Sequence, residues 1–203
     1  MPAGPISYEE ILETIRMVEM EALDIRTVTL GINLSDCAHP DMDALVENIV
    51  RKIVRVGKNL IRVVDEVESR YGIPIVNKRI AVTPISSITA STRAEDILPV
   101  AHALDQVAQA IGIDFIGGFS ALVHKGFTES DRRLLRSLPE ALSQTKCVCS
   151  SINVASTKSG INMDAVTQMG QIIKECAART KDQGGIGCAR LTVFANIPED
   201  NPF

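Results

Sequence analysis

Two closely spaced thiols, a lysine set among hydroxyls and two loop histidines carry most of the chemistry open to this 203-residue chain. The segment Cys147–Asn162 (CVCSSINVASTKSGIN) begins as an apolar strand and passes into small polar residues. It reaches a helix start at Asn162, Met163 and Asp164. Free amides at that helix start, with Lys158 close by, suit a carboxylate or a phosphate. Ser150, Ser151, Asn153, Ser156, Thr157, Lys158 and Asn162 are therefore ligand-binding candidates, although the glycine–lysine order is not that of a phosphate-binding P-loop. Cys149, nearer the mouth of the strand than Cys147, is the candidate nucleophile or acid/base thiol, with His124 or His39 as its partner.

Spacing limits what the thiols can do. Cys147 and Cys149 alternate with Val148, so both point to one side of a strand, roughly 6.5–7 Å apart. A relaxed disulfide needs β-carbons about 3.8 Å apart, so no bond between these two is expected. Cys147 is read as a buried small hydrophobe, and so is Cys176, set among Ile172, Ile173 and Ala177. Asp36-Cys37-Ala38-His39 places a further thiol and imidazole two residues apart, which makes Cys37 a catalytic candidate. A metal would need more ligands than these, and no CxxC or HxxxH pattern supplies them. A turn leading into the helix at Asp41 is the better reading, no metal is expected, and no motif specifies a cofactor.

The elements that position these groups follow from periodicity. Ser7 and Glu10 form a capping box for a helix over residues 8–21. Ile25 to Leu34 alternates as a strand. A long amphipathic helix runs from Asp41 to Tyr71, with a bend at Gly57. Lys78 to Thr83 is the second strand, and Thr92 with Glu95 caps a helix to Ile111. Asp114 to Gly118 is the third strand. Thr128 starts a helix that Pro139 should interrupt, with Ser137 and Glu140 capping a second short helix. Cys147 to Val154, the helix from Asn162 to Arg179, and Cys188 to Ile197 complete the order. Five parallel strands with helical crossovers and no hairpin are expected, in a single α/β domain spanning residues 1–203 without an internal linker. Parallel strands end on one face, so the loops bearing Asn33, Cys37, His39, Ser86, Ser87 and His124 would gather there with the Cys149 segment.

Bulk properties remove several classes of function. A net charge of −4 argues against nucleic acid, and the basic stripe Arg51, Lys52, Arg55, Lys58 is followed on the same helix by Asp65, Glu66 and Glu68. With no Trp, two Tyr and five Phe, the chain lacks the stacking platforms of single-strand or sugar binders. No stretch approaches the roughly 20 apolar residues of a membrane helix. Met1-Pro2-Ala3-Gly4-Pro5 has no character of a targeting segment, and five irregularly spaced cysteines read as reduced thiols, so a cytoplasmic location is expected.

Three stretches, VTPISSITA (Val82–Ala90), IDFIGGFSALVHKG (Ile113–Gly126) and CSSINVASTKSGINMDAV (Cys149–Val166), together resemble an uncharacterised prokaryotic family known as "PFL family proteins". The resemblance runs through essentially the whole chain. Members of that family are considerably longer, and Asn201-Pro202-Phe203 falls where they continue into a second half. The resemblance implies a fold similar to the pyruvate formate-lyase-like barrel, in which two five-stranded parallel half-barrels make ten strands. Five strands ending in a bare apolar edge are what an N-terminal half-barrel would look like. Glycyl radical enzymes of that barrel use a cysteine thiyl and a glycyl radical on a C-terminal hairpin. This chain has no Arg-Val-x-Gly-Tyr-type motif, and its two thiols are not adjacent, so radical chemistry is not expected.

The leading expectation is thus a cytoplasmic enzyme of unassigned reaction acting on a small anionic or polar metabolite. The alternatives are a non-catalytic metabolite-binding or regulatory module, and an assembly component completed by a second half or by a second copy in a homo-oligomer.

Overall fold

The structure, a computed structural model, describes residues 7–21 and 24–196. The N-terminal Met1–Pro5 stretch and the C-terminal edge beyond Asn196 lie outside the described residues. Strands are β1 (Ile25–Ile32), β2 (Ile75–Val82), β3 (Phe115–Gly117), β4 (Ala121–Leu122), β5 (Val148–Asn153), β6 (Ala155–Ser156), β7 (Gly160–Ile161) and β8 (Leu191–Phe194). Helices are α1 (Tyr8–Ile15, extended by a π turn over Arg16–Met20), α2 (Met42–Gly57), α3 (Leu60–Tyr71), α4 (Ile85–Thr89), α5 (Leu98–Ile111), α6 (Glu129–Gln144), α7 (Met163–Arg179) and α8 (Ile186–Ala189).

The main sheet is parallel and is laid down in chain order. β1 pairs β2, β2 pairs β3, and β3 pairs the start of β5. β4 continues the lane of β3 against the end of β5, and β8 adds on the far side of β5. Each strand joins beside its predecessor, so right-handed crossovers place the connecting helices on one face. Consecutive helices accordingly pack side by side: α2 on α5, α5 on α6, α6 on α7. Leu30, Ile80, Ile116 and Val148 share one register row and belong to the hydrophobic core beneath those helices. From α2 come Leu45, Ile49 and Ile53, from α5 Val100 and Leu104, and from α6 Leu134, Leu135 and Leu138.

Two buried arginines fasten this layer. Arg190, between α8 and β8, donates to the carbonyls of Leu142 (2.6 Å) and Val148 (3.2 Å), tying the end of α6 to β5 and β8. Arg133 of α6 donates to the carbonyls of Thr92 (3.0 Å), Ala94 (2.5 Å) and Thr89 (3.2 Å).

Four local expectations are corrected. Thr92 and Glu95 do not open a helix, because Arg133 holds the carbonyls of residues 89–94 in a loop. Asp96 accepts from the Leu98 amide instead, and α5 begins at Leu98 with Pro99 in its first turn. Pro139 does not split α6, which runs unbroken from Glu129 to Gln144. An interior proline costs about 3 kcal/mol, but Pro139 and its neighbours Leu138, Ala141 and Leu142 are buried, and the Thr128–Asp131 capping box anchors the start. Ser137 donates to the Leu134 carbonyl rather than capping a new helix. Finally, the chain does contain a hairpin, since β6 and β7 pair antiparallel inside the Ser150–Asn162 loop. The bend after Gly57 proved a full break: α2 ends there and α3 starts at Leu60.

Candidate functional site

A sheet with its helices on one side leaves the other side open. Parallel sheets are normally covered on both faces. Here the uncovered row consists of Gly31, Ala81, Gly117 and Cys149, in register across four strands. Gly31 and Gly117 would each have nothing within 4 Å of an added β-carbon. Their missing side chains hollow the face into a trough of about 590 Å³. That volume lies within the range of small-molecule pockets, roughly 300–1,000 Å³.

The polar rim comes from the C-terminal strand ends. Asn33 Oδ1 accepts from the Ser35 amide (2.8 Å) and from Thr83 Oγ1 (3.3 Å), while Thr83 Oγ1 also accepts from the Leu34 amide (3.0 Å). The hydroxyls of Ser120 and Ser151 lie 3.0 Å apart, and the Ser151 amide donates to Ser120 Oγ (2.9 Å). Arg79 and Thr192 also line the trough.

Cys149 is half-buried on the trough floor, and its thiol donates to the Cys147 carbonyl at 3.9 Å. Burial pushes this thiol's pKa up, against the pull of the Arg190 and Arg79 guanidinia. It is a protonated thiol at neutral pH. Cys147 is buried and unbonded to Cys149, and all five cysteines are free.

The remaining candidates fall elsewhere. Ser150 is the exception: it lines the trough beside Cys149 but is buried, and its hydroxyl has no hydrogen-bond partner among the described residues. His124 lines a second cleft of about 610 Å³ with Arg132, Asn162 and Asp164, at the start of α7. Its Nδ1 lies 3.4 Å from Asn153 Nδ2. Asn162 caps α7 through the Ala165 amide (3.2 Å) and donates to the Val123 carbonyl (2.7 Å). Thus Cys149 and the α7 start, adjacent along the sequence, line different cavities. Ser156 is consumed by the hairpin, with its hydroxyl 2.6 Å from that of Ser159, while Thr157 and Lys158 are exposed at the turn.

Ser86 is buried in α4, where its carbonyl accepts from Ser130, and Ser87 is exposed beside it. His39 is exposed at the start of α2, where its Nδ1 accepts from the Asp41 amide (3.1 Å). Cys37 is buried 3.6 Å from the Asn48 carbonyl, and burial first, then the Asp36 carboxylate, raise its thiol pKa. Asp36 in turn pairs with Lys52, which holds its carboxyl below the usual range. No hydrogen bond joins Cys149 to either loop histidine among the described residues. Nor, among those residues, do three or more His, Cys, Asp or Glu side chains gather as a metal site. No described helix is long and apolar enough to cross a membrane.

Arg79, Ala81, Gly31, Gly117 and Thr192 line the trough without standing out by residue type in the sequence. A signal was present: in Arg79-Ile80-Ala81-Val82-Thr83 the apolar residues alternate with polar or small ones, which marks two faces of different fate.

Residues 16–203 match the family described as Uncharacterised ACR (DUF711). The chain belongs to that family. It is 60% identical over 194 residues to the UPF0210 protein of Halothermothrix orenii, covering 96% of this chain and 43% of the relative. It is also 60% identical to the UPF0210 proteins of Methanococcoides burtonii (98% of this chain, 44% of the relative) and Methanosarcina acetivorans (97% and 42%). The chain thus spans less than half the length of these DUF711 relatives.

Proposed function

We propose that the open face of the DUF711 sheet binds a small polar or anionic metabolite, and that the complete protein is a cytoplasmic enzyme acting on it. The observation that carries this reading is the trough itself. Four strands each place a small residue in one register row, and hydroxyl and amide groups rim the hollow so formed. In this reading the α/β unit is one half of a ten-stranded barrel of the pyruvate formate-lyase type. The strand order in chain sequence, the helices on one face and the greater length of the relatives support it. The covering half would come from the region by which the relatives exceed this chain, or from a second copy.

Within the trough, Cys149 would serve as an acid/base or nucleophilic thiol, with Asn33, Thr83 and Ser151 orienting the ligand. A thiol held protonated by burial can donate a proton directly, but it needs a base, brought by the ligand or the covering half, before it can attack. One observation favours a second reading, a non-catalytic metabolite-binding module: neither loop histidine hydrogen-bonds Cys149.

The test is capture of metabolites from a cell extract by the protein and by its Gly117→Leu variant, whose side chain would occupy the trough. A small polar metabolite retained by the first and absent from the second supports the reading, and equal retention overturns it. Cys149→Ala then separates the two readings: lost turnover with binding kept marks an enzyme, and unchanged behaviour marks a binding module.

A further inference from the structure

We propose that Arg79 is the anion-binding residue of the trough, so that its ligand carries a carboxylate or phosphate group seated between the Arg79 guanidinium and the Cys149 thiol. The inference rests on the trough being the ligand site. Among the described residues lining it, Arg79 is the one charged side chain, and no carboxylate among them neutralises it. Arg79 occupies the middle of β2, in register with Thr29 on one side and Phe115 on the other. Its guanidinium lies over the Phe115 ring, 5.2 Å from the centroid. That stacking orients the planar fork and uses none of its five N–H donors. No hydrogen bond or ion pair to Arg79 occurs among the described residues.

Arg79 is exposed on the open face, and Arg132 stacks in the same way over the Phe127 ring, 4.7 Å from its centroid, but in the His124 cleft. Arg133 and Arg190 spend their donors on backbone carbonyls, whereas Arg136 and Arg179 pair with glutamates. Once the open face is covered, a guanidinium without a counter-charge would be costly. An incoming anion removes that cost, and a carboxylate or phosphate matches the fork with two parallel hydrogen bonds. Arg79 lies one same-face step, about 6.5–7 Å, below Ala81, and two strand spacings of about 4.8 Å from Cys149. The two α-carbons are therefore about 12 Å apart by that geometry. After the side chains reach inward, the gap suits a ligand a few atoms long. The hydroxyls of Thr83 and Ser151 stand above it for the ligand's remaining polar atoms. Lys158, to which the sequence alone points for an anion, sits on the β6–β7 turn and is not among the residues lining the trough.

The anion could be a free metabolite or a carboxylate side chain of the covering half, and the proposal commits to the free metabolite. The test is site-resolved alkylation of Cys149 by iodoacetamide in the protein, with acetate, succinate and inorganic phosphate as probes and glycerol as the neutral control. At least one anion should slow alkylation saturably, and glycerol should not. Arg79→Gln should raise the anion concentration needed by about 10-fold or more, and Arg79→Lys should recover part of the effect. Without anion, Arg79→Gln should itself slow alkylation, because it removes one of the guanidinia that draw the Cys149 thiol pKa down, and Arg79→Lys should not. Protection is therefore read for each variant as the ratio of its rates with and without anion. Protection that survives Arg79→Gln overturns the assignment to Arg79 while leaving the trough as the site. No slowing by any anion overturns it as well. If metabolite capture remains sensitive to Gly117→Leu in that case, the ligand site stands without its anion; if capture is insensitive, the ligand site falls too.

Discussion

Replacing Gly118 by alanine should destabilise the fold sharply, while the same change at its neighbour Gly117 should not. Gly118 adopts φ of +120°, a backbone conformation that an L side chain rarely takes. A β-carbon there would lie 2.4 Å from Val82 Cγ2 and 2.6 Å from the Val82 carbonyl oxygen. Ordinary contact is about 3.5–4.0 Å, so the overlap exceeds an ångström. Val82 cannot yield, because its backbone is held in the sheet opposite Ile32. The Gly118 carbonyl is engaged as well, accepting from the Ile85 amide at 2.9 Å. Overpacking of about 1–3 kcal/mol together with about 1–2 kcal/mol of backbone strain gives about 2–5 kcal/mol in total, centred near 3–4 kcal/mol. Urea unfolding reads this directly. With a slope near 2 kcal/mol per molar, the midpoint should fall by about 1.5–2 M at unchanged slope. Gly117→Ala, whose β-carbon enters the empty trough, should stay within about 0.5 kcal/mol of the parent. A loss below about 1 kcal/mol for Gly118→Ala, or equal losses for the two variants, would refute the reasoning. The contrast bears on the proposed site, because Gly118 admits the close approach of Val82 whereas Gly117 leaves the trough floor empty.

Further outcomes follow from single buried groups. Asp105→Ala should cost about 2–4 kcal/mol in denaturant unfolding, since its Oδ1 accepts from the Lys146 (2.8 Å) and Cys147 (2.6 Å) amides at the entry to β5. Arg190→Met should cost about 2 kcal/mol or more, by releasing the Leu142 and Val148 carbonyls, and the amides of β8 should lose hydrogen-exchange protection first. Burial pushes the Cys176 thiol from 9.0 up to about 11. The folded state therefore keeps a proton that the unfolded state sheds, so the associated stability is whole below pH 9 and lost as pH climbs through about 11. Cys176→Ala should flatten that alkaline decline in thermal melts, and an unchanged decline would contradict the assignment.

Much of the fold was legible because its elements are strongly patterned. The Ser7–Glu10 box, the α2 stripe and the Asn162 cap each state local structure within a few residues. The misreadings share one cause, long-range contacts overriding local signals. Arg133 lies some 40 residues from the loop it holds open, and Pro139 is carried through α6 by burial that no local window reveals. The site was half legible for the same reason. Cys149, Ser151 and Asn33 stood out by residue type. Arg79, Gly31, Ala81 and Gly117 did not, since their shared place along the trough appears only once the strands are in register and the helices are all on one side. Lys158 and Asn162 were conspicuous next to Cys149 in the chain, yet the β6–β7 hairpin carries them to other surroundings.

The most direct test of the account is a crystal structure of the protein bound to the metabolite it retains from a cell extract. That ligand should lie over the Gly31–Ala81–Gly117 row, its anionic group on Arg79 and its body against Cys149. A ligand seated instead in the His124–Asn162 cleft at the start of α7, with the trough filled by protein side chains, would contradict it.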